Sequence, residues 1–241
     1  MPARRPRRPS PPAGALVWFR RDLRDDDHAA LAAALDGGGP VHAAFVFDRE
    51  ILDALPSPDD RRVDFIHGSL VALDARLRAR GGGLVVVHDR ARDAIPRLAQ
   101  ALGVATVHAN RDYEPAAIDP DAAVEAALGE AGIAFDLHKD QVIFERDDVV
   151  TREGKPYGVF TPYRKAWLAR LSPDALAPHV TGGAGLAPPP ATLDHGIPPL
   201  DAIGFRSTDL AALGVRPGMD DAHALFDDFA RRIDRYAAAR D

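Results

Sequence analysis

The chain has 241 residues, 46% of them hydrophobic and 27% charged, enough for one large domain or for one domain and part of another. It contains no cysteine, which excludes disulfides, thiolate metal sites and a cysteine nucleophile. The formal net charge of −6 speaks against a chain that wraps nucleic acid by itself, and no apolar run is long enough for a membrane helix.

Residues 1–13 carry Arg4, Arg5, Arg7 and Arg8 among five prolines and predict a disordered basic tail. The tail has no apolar stretch of the kind export signals use, so a cytoplasmic protein is expected. Its four arginines leave a net charge of −10 on the rest of the chain. Ala15–Phe19 reads as a buried strand. Asp27 is the expected N-cap of a helix through Leu35, which Gly37-Gly38-Gly39-Pro40 stops. Further strands are expected at 41–47, 84–88, 106–109 and 133–137, with helical spacing between them at 63–77, 93–102 and 119–131. Strands alternating with helices imply right-handed crossovers. The expected fold is α/β: a five-stranded parallel Rossmann-like sheet with helices on both faces. A hairpin turning at Gly154 is expected over 149–157, then a short helix through Leu171 with Thr161 as its cap. The prolines of 172–219 predict a partly extended interdomain linker. Residues 220–240 read as an amphipathic helix with Leu225, Phe229, Ile233 and Tyr236 on one stripe.

Two stretches carry chemistry. Arg20-Arg21-Asp22-Leu23-Arg24 follows the first strand, where ligands bind at the carboxyl ends of open parallel sheets. Such packed charge either clamps an anionic ligand or fixes the strand-to-helix turn. Asn110-Arg111-Asp112-Tyr113-Glu114 ends the fourth strand, with polar groups for a flat heteroaromatic ligand and Tyr113 as a stacking face. No glycine-rich phosphate loop follows any strand. The histidines form no ligand-spaced pair, His42, His88, His108 and His138 being expected as hydrogen-bonded structural residues, and no metal is assigned. Asp25-Asp26-Asp27 resembles a cation site in composition only. No catalytic side-chain constellation is expected in this chain.

Four segments, in order, resemble the DNA photolyase/cryptochrome family: Leu16-Val-Trp-Phe-Arg-Arg-Asp-Leu-Arg24, Asn110-Arg-Asp-Tyr-Glu-Pro115, Val159-Phe-Thr-Pro-Tyr-Arg-Lys-Ala-Trp-Leu168 and Asp234-Arg-Tyr-Ala-Ala-Ala-Arg-Asp241. The likeness is to the N-terminal antenna domain of a class I photolyase acting on cyclobutane pyrimidine dimers. It implies an antenna domain at 14–171, a linker at 172–219 and, at 220–241, the first helix of an all-helical FAD domain that is otherwise absent. In that family light collected by the antenna chromophore reaches reduced FAD. The excited flavin then gives an electron to a flipped-out dimer in UV-damaged DNA.

Carried over by resemblance, Arg21, Asp112 and Glu114 contact the antenna, with Arg20, Asp22 and Asn110 in the same crevice, and Tyr236 begins the FAD site. Arg164 and Lys165 are candidate DNA-phosphate contacts, or else a plain solvated helix face. Ala116 and Ala117 stand where folate-binding members carry Asn and Glu, so a deazaflavin or flavin antenna is expected over methenyltetrahydrofolate. His28 replaces a usual Asn and Asp25 a usual apolar residue, which implies altered capping. The chain is expected to be a monomer, and by itself to bind FAD weakly and repair nothing. A cryptochrome-type blue-light receptor and a free-standing flavin- or nucleotide-binding α/β protein remain as alternatives.

Overall fold

The computed structural model describes residues 13–193 and 196–239, so almost all of the expected basic tail lies outside it. Five parallel strands, β1 (Ala15–Phe19), β2 (Val41–Asp48), β3 (Leu84–Asp89), β4 (Thr106–Asn110) and β5 (Ala134–His138), form one sheet in the order β3-β2-β1-β4-β5. The connections are α1 (Ala29–Asp36), the single turn α2 (Arg49–Leu52) with α3 (Arg61–Ala79), α4 (Ala91–Leu102) and α5 (Pro115–Glu130). The expected five-stranded α/β fold is therefore present.

Strand alternation explains the two layers. Ala15, Val17 and Phe19 point to the face covered by Leu31 and Ala34 of α1 and Leu70, Leu73 and Leu77 of α3. Leu16 and Trp18 point the other way, against Ile95 and Leu98 of α4 and Val124 and Leu128 of α5. Every residue of β1 is buried, as a central parallel strand requires. The chain runs outward from β1 to β3, then returns to β4 on the other side of β1. The sheet's topological switch point thus lies between β1 and β4, where Trp18 stands in register with Ala109.

Several local expectations are corrected. His28, not Asp27, caps α1: its Nδ1 accepts from the Leu31 amide at 3.1 Å, while Asp27 adopts a left-handed φ of 45°. Residues 149–157 form a turn, with Gly154 N–H bonded to Thr151 O at 2.9 Å, but no paired strands; Pro156 lacks the donor a ladder would need there. The next helix, α6 (Phe160–Arg170), starts before Thr161 and is capped by Val159 backbone. The proline-rich segment, expected as a partly extended linker, packs in part against the sheet domain. Its Leu200, Ile203 and Phe205 are buried in the α1/α3 core, and Val41 N–H donates to Gly185 O at 2.7 Å while Ala187 N–H donates to Val41 O at 2.8 Å. Proline-rich sequence forbids ladders and helices but not burial.

The last segment is α7 (Met219–Arg232), one 3₁₀ turn at Ile233–Arg235 and the short α8 (Tyr236–Ala239). Its expected apolar stripe faces solvent: Leu225, Phe229, Ile233 and Tyr236 are all exposed, as is the neighbouring Phe226. Among the described residues no helix is long and apolar enough to cross a membrane.

Candidate functional site

The carboxyl ends of β1 and β4 bring together all six residues expected in the crevice, Arg20, Arg21, Asp22, Asn110, Asp112 and Glu114, in two sets. The inner set is buried and bonds to itself. Asp22 accepts from the Asn110 side-chain amide and, at 2.8 Å, from His28 Nε2. Because His28 Nδ1 accepts from Leu31, its proton sits on Nε2, aimed at Asp22. Arg20 spends its guanidinium on Asp121 at 2.6 Å and on Asn110 O, and lies 4.8 Å over the Trp18 ring. Burial pushes the Asp22 carboxyl up, but the hydrogen bonds from His28 and from the Arg20 amide outweigh it and hold the pKa at about 2. Burial raises Asp121 despite its arginine partner.

The inner set also closes the amino end of α1. Its first three amides, of Ala29, Ala30 and Leu31, donate to Asp140 Oδ1 (3.0 Å), Asn110 Oδ1 (2.9 Å) and His28 Nδ1 (3.1 Å). This helix end therefore offers no free donors to a phosphate, in contrast to the dinucleotide-binding use of the same fold position. Asp140 and Asp121 belong to the network and no sequence signal marked them; Asp121 lies on α5 and Asp140 just past β5. Asp25 is no cation ligand either: it is buried against Arg76 and, at 3.0 Å, Arg80.

In the outer set Arg21 and Glu114 face solvent, while the Asp112 side chain is nearly buried. Arg21, half exposed, bonds Glu114 at 2.6 Å and Asp112 at 3.5 Å. The hydrogen bond to Glu114 raises its already high pKa, so the guanidinium stays charged. Beside it Arg111 holds Glu145 at 2.5 Å and leaves its Nε buried without a protein partner. Glu145 also takes the Tyr113 hydroxyl, which burial and that carboxylate push up to about 12. Tyr113 is thus tethered by its tip. This rim has a permanent cation, carboxylate acceptors and an aromatic face, which fits a flat polar heteroaromatic ligand.

Other expected residues lie elsewhere. Arg164 and Lys165 are exposed on α6, and Tyr236 is exposed with an edge-on Phe229 ring 6.2 Å away. The side chains of Ala116 and Ala117, on which the folate inference rests, are outside the described set. The four histidines expected to be hydrogen-bonded divide, and the expectation is corrected only at His42 and His88. His108 Nδ1 and His138 Nε2 are hydrogen-bonded to each other, 2.9 Å apart, reaching diagonally between β4 and β5, whose register sets His108 opposite Asp136 and His138 opposite Asn110. His42 Nδ1 and His88 Nε2 are buried without partners. Among the described residues no group of three or more His, Asp or Glu is placed to hold a metal ion.

Comparison with known proteins decides the family. The DNA photolyase family profile matches residues 15–181. This chain belongs to the DNA photolyase family. It is 36% identical over 239 residues to a deoxyribodipyrimidine photo-lyase of Halobacterium salinarum, covering 94% of this chain and 48% of that one. A cryptochrome DASH of Natronomonas pharaonis is 31% identical, over 79% of this chain and 40% of that protein. Among solved structures, a bacterial class III photolyase from Agrobacterium tumefaciens superposes with a TM-score of 0.67 at 28% identity, over 81% of this chain and 39% of that one. The chain thus spans about half the length of the curated photolyases it matches, and its α/β sheet is the photolyase-family N-terminal domain. Flavin chemistry and an antenna chromophore are family properties.

Proposed function

We propose that this chain is the light-harvesting half of a deoxyribodipyrimidine photolyase, with the outer rim of the β1/β4 crevice as its chromophore site. The observation that carries this reading is the division of labour among the crevice residues. Arg20, Asp22 and Asn110 are consumed in fixing the loop, whereas Arg21 and Glu114 are left at the surface, with the nearly buried Asp112 behind them, around a permanent positive charge. A deazaflavin or flavin suits that rim, since both present a row of ring acceptors and donors to charged groups. The FAD that drives repair is a different matter. Tyr236, the residue expected to begin its site, is exposed. FAD would bring the electron-transfer chemistry; the chain's own residues bind and orient the antenna and keep its charge compensated. UV-damaged DNA is the substrate of the complete enzyme, and the exposed cations Arg164 and Lys165 on α6 are the candidates for its phosphates.

The test is the mass and absorption spectrum of the chromophore that copurifies with the chain from a host that makes deazaflavins and flavins. A stoichiometric deazaflavin or flavin is expected. Arg21→Ala should weaken its retention about tenfold or more, the loss of a charged hydrogen bond, without lowering the thermal midpoint. A folate, or a ligand that Arg21→Ala retains fully, would overturn the assignment.

A further inference from the structure

One stripe of α3 serves the start of α7 and nothing in the sheet. Gly68, Ala72 and Arg76 stand at intervals of four, so they lie one above another on a single helix face. Pro217 is seated on Gly68: a Cβ at that glycine would lie 2.6 Å from Pro217 Cγ and 2.9 Å from its Cβ. Gly218 follows with φ at 109°, and a Cβ there would lie 2.9 Å from the Ala72 Cβ. Asp220, in the first turn of α7, then meets Arg76 at 3.2 Å. Arg76 is itself held by the buried Asp25, which also takes Arg80, whose other amine donates to Thr181 O. Glycine weakens a helix interior and φ near 109° is open to glycine alone, so both glycines are there for the contact.

Beyond Asp220 the helix touches little. The apolar side chains of α7 and the turn after it are exposed. We propose that the stripe Gly68–Ala72–Arg76, locked from beneath by Asp25, is a seat that fixes the direction in which α7 leaves the sheet domain. It thereby sets where a flavin-binding half stands relative to the β1/β4 crevice. The inference rests on the two-halves reading above. Its physical content is that energy transfer between two chromophores needs a fixed separation and angle. A helix pinned by two close backbone approaches and an ion pair supplies both, where a flexible connector would not. These seat residues are positioning residues; none touches a chromophore. Asp25 stands at a position where the family resemblance implies an apolar residue, so the charged lock is a feature of this chain.

The chain has no cysteine, so two can be introduced for spin labels without background. Labels at Gln100→Cys on α4 and Asp227→Cys on α7 report the angle of α7 as a distance distribution. A narrow distribution is expected in the parent. Gly68→Ala, Arg76→Lys and Asp220→Ala should each broaden it at least about twofold, as a pinned state becomes an ensemble. Gly68→Ala is the sharpest arm, since it raises helix propensity and would tighten α3 if there were no seat. Asp220 is almost wholly exposed, so its alanine variant leaves the fold intact, and an unchanged thermal midpoint shows this for each variant. Distributions as narrow as the parent's in all three variants, or a parent already broad, overturn the proposal. No chromophore is present in this experiment, so its outcome is separate from that of the copurification test.

Discussion

At the scale of residues, the decisive objects are the buried Asp22, His28 and Asn110. Each satisfies another's polar atoms, and a carboxylate in such a place is tolerable only because it is bonded on every side. The Asp22 pKa near 2 lies below the unfolded value of 3.8, so ionised Asp22 stabilises the fold above about pH 4, and that contribution is lost as pH falls toward 2. The shift corresponds to about 2 kcal/mol, and Asp22→Asn should flatten this part of the acid-unfolding curve measured by circular dichroism. If the variant and parent lose stability in parallel from pH 4 to 2, the carboxylate is not responsible. The residue types of the crevice were legible in the sequence because charge packed after a buried strand is unusual. Which of those charges face inward was not legible. That depends on Asp121 and Asp140, which lie about a hundred residues further along the chain.

At the scale of elements, α1 shows how far local sequence carries. Alanine and leucine spacing predicts the helix and Gly37 its end, and both hold. The start is set by tertiary contacts, since its first three amides are taken by side chains from three places in the sequence. Asp27 is a good capping residue on propensity, yet its carboxylate accepts from the His179 amide at 2.8 Å and its carbonyl from Arg24. His28→Ala removes a cap and the donor to Asp22 together. It should lower stability by about 2–4 kcal/mol in urea unfolding, whereas Asp27→Ala should cost well under half of that. Comparable losses for the two variants would return the cap to Asp27. The missing hairpin at 149–157 has the same lesson. Alternation and a turn glycine suffice for a hairpin only where a face can be buried, and that segment is largely exposed.

At the scale of the whole molecule, the segment 182–218 turns an open sheet with two terminal attachments into one packed body. Phe205, buried in the α1/α3 core, is its deepest aromatic anchor. Phe205→Ala should cost about 3–5 kcal/mol in thermal or denaturant unfolding, as a core truncation does. A loose connector would show no change at all. The sequence by itself determined the α/β class, the number of strands and the family. These rest on local periodicity and on short runs of residues that lie together in the chain. Only the tertiary structure decided which crevice charges are buried in the fold and which are exposed, that the proline-rich stretch is packed into the core, and where α7 points. Each of these turns on pairs such as Arg20 with Asp121, Phe205 with the α3 leucines, or Gly68 with Pro217. Partners so far apart in the chain leave no periodic trace, because it is the packing of the sheet and helices that brings them within a few ångströms.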